Sequence, residues 1–347
     1  MFTKDTRLLT ILDNAMGGLS PNKADCKYLL SFPETSPEAS LIRAAASEII
    51  RKKSDNSAII LGQVGVDVSK CKGGCKFCTF GEGHTHFEPK RLTEEELYEK
   101  VSSFNDKQDL YGLFLMTMHD YDLDVFLNFV RLAKKVIPST TQIWANVGDS
   151  SADAFREMKK AGVAGIYHVC RIGEGRDTNL KPEDRIKTMQ NALDAGIKLY
   201  TCCEPIGPEQ TLDEIVDNMF IGIELGCTMH AAMRRVAVPG APLAKYGQIS
   251  NLRLGQFVAV VALASFTVPE MTYCGVHEPN EIAYISGANI ITAETGANPR
   301  DNSGDTSKNR GMDMQKCRTM LWESGFRYIR RGDESKVALT MDYVKEN

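Results

Sequence analysis

Short, wholly apolar runs alternate along this chain with longer stretches in which apolar residues recur every three or four positions. Runs of the first kind fit strands buried on both faces, and stretches of the second kind fit amphipathic helices. Eight apolar runs predict strands at about 57–66 (SAIILGQVGV), 111–118 (YGLFLMTM), 141–147 (TQIWANV), 164–170 (AGIYHVC), 197–203 (IKLYTCC), 229–238 (MHAAMRRVAV), 267–274 (TVPEMTYC) and 289–294 (NIITAE). The helices between them carry boundary signals. Thr93 before EEELYEKV, with Glu96 three residues on, fits a capping box, and Asp149 or Ser150 can cap ADAFREMKKA ahead of Gly162. In KPEDRIKTMQNALDAG, Pro182 stands near the helix start and Gly196 just past its end.

Strand and helix signals in strict alternation imply parallel strands with crossover helices, and eight units over about 240 residues predict an α/β fold of the (β/α)8 TIM type. The chain divides on this reading into an N-terminal helical extension (1–55, with the helix PEASLIRAAASEIIRKK), a barrel (56–300) and a C-terminal segment (301–347). The tail from about 300 opens with PRDNSGDTSKNRG, a polar, Gly-rich loop suited to a lid over 297–312, and continues into a helix near DMQKCRTMLWESG.

Composition narrows the function. The 347 residues are 43% hydrophobic and 25% charged, with a formal net charge of -4. Phosphate binding needs clustered Lys and Arg, so no nucleic-acid partner is expected. An apolar run long enough for a membrane helix is missing from the sequence, and MFTKDTRLLTILDN lacks the apolar core of a signal peptide, so a cytoplasmic protein is expected. In that compartment ten cysteines are not a disulfide framework and need another use.

Three of them, Cys71, Cys75 and Cys78, fall in CKGGCKFC directly after the first predicted strand. A loop that short can turn three sulfurs onto one centre, as zinc and iron–sulfur sites both require. Zinc wants a fourth ligand, for which His84 or His86 could compete. Three thiolates on a 4Fe-4S cube leave one iron open to a small molecule.

The C-x3-C-x2-C loop after the first barrel strand, with Phe77 before the last cysteine, resembles the signature of the radical S-adenosylmethionine superfamily. The resemblance implies a 4Fe-4S cluster on Cys71, Cys75 and Cys78, S-adenosylmethionine on its open iron with Phe77 near the adenine, and cleavage of that cofactor to a 5′-deoxyadenosyl radical. Further stretches are similar to biotin synthase: VAVPGAPLA after the sixth strand, LGQFVAVVALASFTVPEM, and HEPNEIAYISGANIITAETGANPRDN at the end of the barrel. By the same resemblance Ile206, Gly207 and Glu209, in EPIGPEQT, belong to the cofactor-binding pattern after the fifth strand, and Arg185 meets the methionyl carboxylate. His168 and Met233 stand at positions implied to contact substrate.

The departures matter as much. Biotin synthases of the common type hold a 2Fe-2S cluster on three cysteines and an arginine. Here only Cys202 keeps one of those thiols, with Leu115 or Met116, Trp144 and Thr272 standing at or near the other positions. Cys170, Cys202, Cys203 and Cys274 all fall at predicted carboxyl ends of strands, where barrel chemistry sits. Strand alternation makes Cys170, Cys202 and Cys274 the stronger set. Three or all four of these thiols are expected to hold an auxiliary cluster of 4Fe type carrying an extra sulfide. Cys26, Cys227 and Cys317 read as packing. His119 and His277 also fall at strand ends.

The function so implied is sulfur insertion into dethiobiotin to give biotin, with electrons from a reducing flavodoxin or ferredoxin, in a possible homodimer. Unactivated C–H bonds offer no acid or base a handle, so the cofactor supplies the radical and the protein positions and shields. Two other readings stay open: another biotin-synthase-like radical enzyme, of the methylornithine synthase or hydrogenase-cofactor maturase type, and a non-catalytic iron–sulfur or zinc barrel.

Overall fold

The computed structural model describes residues 3–295 and 312–345. Three helices come first: α1 (Thr6–Met16), α2 (Lys23–Ser31) and α3 (Pro37–Lys53). Strand β1 (Ser57–Val68) follows, with the short β2 (Lys90–Arg91) antiparallel to its end. Helix and strand then alternate through α4 (Glu94–Ser102), β3 (Leu110–Thr117), α5 (Leu123–Lys134), β4 (Gln142–Asn146), α6 (Ala152–Ala161), β5 (Val163–Tyr167), α7 (Pro182–Asp194) and β6 (Lys198–Ile206). The alternation continues with α8 (Leu212–Leu225), β7 (Met229–Arg234), α9 (Asn251–Ser265), β8 (Tyr273–Val276), α10 (Glu281–Tyr284) and β9 (Ile290–Thr295). Last come α11 (Met314–Glu323), β10 (Tyr328–Arg330), β11 (Lys336–Ala338) and α12 (Met341–Lys345).

Strands β1 and β3 to β9 pair in parallel in chain order, and β9 returns to β1 through Ile59↔Ile290 to Val64↔Thr295, which closes the predicted eight-stranded barrel. Period-two alternation sorts its side chains into two layers. Ile59, Leu61, Phe114, Trp144, Tyr200, Cys202 and Tyr273 pack inside the lumen, while Ala58, Ile60, Leu113, Leu199 and Cys203 face the surrounding helices. Trp144 fills the lumen because Gly165 on the neighbouring strand has no side chain: a Cβ there would come within 2.2 Å of the indole ring. The hairpin β10–β11 joins the amino-terminal end of β1, and its turn reaches the lumen floor, where Tyr111 Oη donates to Glu334 Oε1 at 3.0 Å.

Most boundary signals act as read. Thr93 and Glu96 form the capping box of α4, Pro182 opens α7, and Gly162 ends α6 in the left-handed region at φ 100°. Two expectations need correction. Helix α6 is capped by Ser151, because the Asp149 carboxylate is used instead by His168, Arg185 and Thr188. The seventh barrel strand begins at Tyr273 rather than near 267: the chain turns there, with Val268 N–H bonded to Ser265 and Met271 N–H to Val268, and Pro269 in the turn has no N–H to offer a ladder. Cys274 therefore lies near the start of its strand and not at the carboxyl end. The expected lid over 297–312 lies outside the described residues apart from Met312, which pairs with Ala293.

Candidate active site

At the carboxyl ends of the strands a cavity enclosing about 1320 Å³ of empty space, part of it open to solvent, runs from the cysteine loop down into the lumen. Cys71, Cys75, Cys78 and Phe77 border it at the top. The loop is a chain of tight turns, with Gly74 N–H bonded to Cys71 O (3.1 Å), Cys78 N–H to Cys75 O (3.1 Å) and Cys71 N–H to Phe80 O (2.8 Å). Neighbouring segments clamp it: Lys76 N–H donates to Asp177 O, Asn179 N–H to Gly73 O, and Leu243 N–H to Lys76 O. Gly74, at φ 57°, permits this approach, since a Cβ would come within 2.4 Å of the Asn179 side chain. Burial pushes the Cys75 thiol up to about 11 and raises Cys78 as well, so stable thiolates here call for a bound cation. His84 Nε2 lies 2.7 Å from the Cys78 carbonyl oxygen and is engaged with backbone.

Below the loop is a buried charged rim. Arg185 donates from Nη1 to Asp149 Oδ1 (2.9 Å) and from Nε to Val169 O (3.0 Å), with Glu174 at 3.7 Å. His168 Nε2 lies 3.0 Å from the same Asp149 oxygen. Burial first, then the charge of Arg185, push His168 down to about 3, so it is neutral at pH 7 with its proton on the nitrogen facing Asp149. Burial works to raise Asp149, but the His168 hydrogen bond and the Arg185 charge outweigh it and hold the carboxyl well below its usual range. His168 Nδ1 and His119 Nδ1 are buried without a hydrogen-bond partner, and both residues line the cavity. Three thiols, a buried guanidinium and two unpartnered imidazole nitrogens on one cavity fit an iron–sulfur cluster carrying an amino-acid-bearing cofactor.

The other expected cofactor residues divide. Gly207 packs against Arg235, whose guanidinium would lie 2.6 Å from a Cβ at that position. Arg235 forms a two-pronged pair with Glu209, donating from Nη2 to Oε2 at 2.7 Å and from Nη1 to Oε1. Arg235 lines the cavity, whereas Ile206 points into the outer core. Met233 lines the cavity with His168.

The four thiols expected to share an auxiliary cluster do not converge. Cys202 packs in the lumen, but Cys170, Cys203 and Cys274 belong to the layer between strands and helices. Cys203 Sγ donates to Ile215 O on α8 at 3.4 Å, and Cys274 has Cys227 for a neighbour. Strand alternation turns Cys203 away, the late start of β8 misplaces Cys274, and Cys170 lies beyond the end of β5.

What surrounds Cys202 was only partly visible beforehand. Tyr167 Oη donates to Glu204 Oε2 (2.5 Å), Tyr200 Oη lies 2.9 Å from His277 Nε2, and Arg171 Nε lies 3.4 Å from Glu204 Oε1. Glu204 escapes a reading that ends the fifth barrel strand at 203; β6 runs to Ile206, so Tyr200, Cys202 and Glu204 alternate inward. Arg235 escapes because 229–238 reads as unbroken strand, while β7 ends at Arg234.

The profile of the radical SAM superfamily matches residues 67–220, a stretch that includes the cysteine loop and runs through β6 into α8, and a domain of that kind implies a 4Fe-4S cluster and S-adenosylmethionine. Among solved structures, methylornithine synthase matches with a TM-score of 0.76 at 17% identity, covering 91% of this chain and 96% of that one. The FeFe-hydrogenase maturase HydG matches at 0.75 and 15%, covering 94% and 76%. HydG from Carboxydothermus hydrogenoformans matches at 0.75 and 13%, covering 97% and 81%. At these identities the likeness is one of fold. No curated protein matches the sequence. Among the described residues no helix is long and apolar enough to cross a membrane.

Proposed function

We propose that this protein is a radical S-adenosylmethionine enzyme that removes hydrogen from a small, hydrogen-bonding substrate held in the barrel lumen. The observation that carries this reading is the single cavity joining Cys71, Cys75 and Cys78 to Arg185 above and to Glu204, Tyr167, Tyr200 and His277 below. Bound there, the reduced cluster and its cofactor supply a carbon radical able to abstract hydrogen from an unactivated carbon.

The chain's own groups bind, orient and exclude water. The three thiolates would hold the cluster at the cavity mouth, and Phe77 borders the same cavity. Arg185, fixed by Asp149 and Val169 O, presents a cation to a carboxylate without having to be ordered first. The Glu209–Arg235 pair holds the carboxyl end of β6 against the segment after β7. Buried walls of Phe114, Met116, Val169 and Val238 keep bulk water from the lumen.

Two finer readings stand within this class. Sulfur insertion into dethiobiotin is supported by the biotin-synthase-like stretches and by the lumen thiol Cys202; its electrons would come from a reduced flavodoxin or ferredoxin. An auxiliary cluster on Cys170, Cys202, Cys203 and Cys274 is not part of it, because those thiols lie on two sides of the barrel wall. A carbon-skeleton rearrangement needs no sulfur donor, and it is supported by that separation and by the fold match covering 96% of methylornithine synthase.

The test is anaerobic turnover of the reconstituted protein with S-adenosylmethionine, a chemical reductant and each substrate. Deoxyadenosine formed in proportion to biotin from dethiobiotin selects the first reading, and methylornithine formed from an isomeric amino acid, with the abstracted hydrogen returned and no proportional build-up of deoxyadenosine, selects the second. Absence of any reductive cleavage by protein holding four irons in its loop would overturn the class.

A further inference from the structure

We propose that Cys202, Glu204 and His277 hold a single divalent cation, zinc(II) or iron(II), on the lumen wall below the cysteine loop. The donors come from two strands. Cys202 and Glu204 stand two apart on β6 and so share its inward face, and His277 follows directly after β8, its N–H 3.4 Å from Ala232 O of β7. A sulfur, a carboxylate oxygen and a ring nitrogen from these three residues all lie within 4.8 Å of one another. Donor pairs on a tetrahedral zinc ion sit roughly 3.3–3.8 Å apart. His277 Nδ1 is already 3.9 Å from Glu204 Oε2, so small side-chain rotations close the set.

The chemistry around the donors suits a cation. A thiolate and a carboxylate with a neutral imidazole sum to two negative charges, which one divalent ion neutralises, and mixed sulfur, nitrogen and oxygen donors select borderline-soft metals over magnesium or calcium. Tyr200 Oη lies 2.9 Å from Nε2, the nitrogen that faces away from Glu204, while Nδ1, 3.9 Å from Glu204 Oε2, has Tyr167 Oη at 3.4 Å, a contact that the metal would replace. Tyr167 orients the carboxylate through Oε2 at 2.5 Å, and Arg171 approaches its other oxygen at 3.4 Å while also reaching Glu174 at 3.9 Å. Such outer partners fix the donor atoms and tune the metal. Three protein ligands leave a fourth position, and because Glu204 and His277 line the cavity, that position faces it. A metal so placed would hold a substrate sulfur, nitrogen or oxygen as a Lewis acid. This site shares no residue with the cysteine loop and does not depend on which reaction the enzyme performs.

Cobalt(II) is the probe, added to anaerobically purified full-length chain in which Cys71, Cys75 and Cys78 are all replaced by serine, so that only lumen thiols remain near the cavity. One equivalent should bind, with a thiolate-to-cobalt charge-transfer band and tetrahedral ligand-field bands, and zinc(II) should displace it. Adding Cys202→Ser should abolish the charge-transfer band, and adding His277→Gln should weaken binding at least about tenfold. Circular dichroism and thermal unfolding identify folded variants; if Cys202→Ser does not fold, the His277→Gln affinity decides. Elemental analysis of the loop variant as purified distinguishes zinc from iron. A folded loop variant that takes up no cobalt, or one whose thiolate band survives Cys202→Ser, would overturn the proposal.

Discussion

The cysteine loop and the lumen wall gather their donors in opposite ways. In the loop, three thiols within eight residues are brought together by consecutive turns, so proximity in sequence is proximity in space. On the wall, Cys202, Glu204 and His277 meet because β6 and β8 flank β7 in register, with Cys202 opposite Ala231 and Ala231 opposite Gly275. A loop tolerates exchange of a neighbour; a strand set depends on every register that joins it. The two sites should therefore fail independently. The largest effect belongs to replacing Cys71, Cys75 and Cys78 together by serine, which should remove loop iron and reduce cleavage of S-adenosylmethionine to background while leaving uptake of one cobalt ion by Cys202, Glu204 and His277. Iron content and cobalt titration of the same preparation check it, and a simultaneous loss of both metals would break the comparison.

The same contrast explains what was legible in the sequence. The barrel could be read because eight apolar runs and their capped helices each carry a local signal, and the loop because its spacing is local too. Cys202 and His277 lie 75 positions apart, and the set with Glu204 needs strand ends correct to one position. Ending the fifth strand at 203 hides Glu204, and starting the seventh near 267 gives Cys274 the place that belongs to the residues after Val276. Alternation separates Cys203, against α8, from Cys202 in the lumen already at the level of sequence, but it places Cys170 and Cys274 correctly only when strand ends are known, and β5 stops at Tyr167 while β8 starts at Tyr273. Asp149 looked like a helix cap because a carboxylate before a helix usually is one, and nothing local shows that Arg185 and His168 reach it from elsewhere.

A second effect, smaller than loss of the cluster, sharpens the difference between the charged rim and the lumen below it. His168 has a folded-state value near 3 against an ordinary 6.5, so the unfolded chain takes up a proton that the folded chain refuses. Its contribution is complete above about pH 6.5 and is lost as pH falls toward 3, at up to about 1.4 kcal/mol per pH unit. Asp149, also depressed when folded, adds to the loss below its ordinary 3.8. Urea unfolding at about pH 6.5 and about pH 5 should differ by up to about 2 kcal/mol, and His168→Gln, whose amide can still donate to Asp149, should remove most of that slope. An unchanged slope in the variant would place the acid sensitivity elsewhere than the rim.

The smallest effect is expected at the opposite end of the barrel. Glu334 reaches the lumen floor from the β10–β11 turn, accepts from Tyr111 Oη at 3.0 Å and lies 3.5 Å from Arg330, but its side chain is 53% exposed. Glu334→Gln keeps an acceptor for Tyr111 and removes only a solvent-screened ion pair, so the cost should be about 0.5 kcal/mol or less. Trp144 and Tyr200 fill the lumen between this floor and the Cys202 wall, and both are buried against the strands. A rigid packed layer of that kind passes on little of a small change at its far side. Cobalt affinity and the rate of S-adenosylmethionine cleavage should therefore stay within about twofold of the parent, which for either quantity is about 0.4 kcal/mol. A larger shift in either would show that the floor and the wall are one coupled unit, and that Glu334 helps set the register on which Cys202, Glu204 and His277 depend.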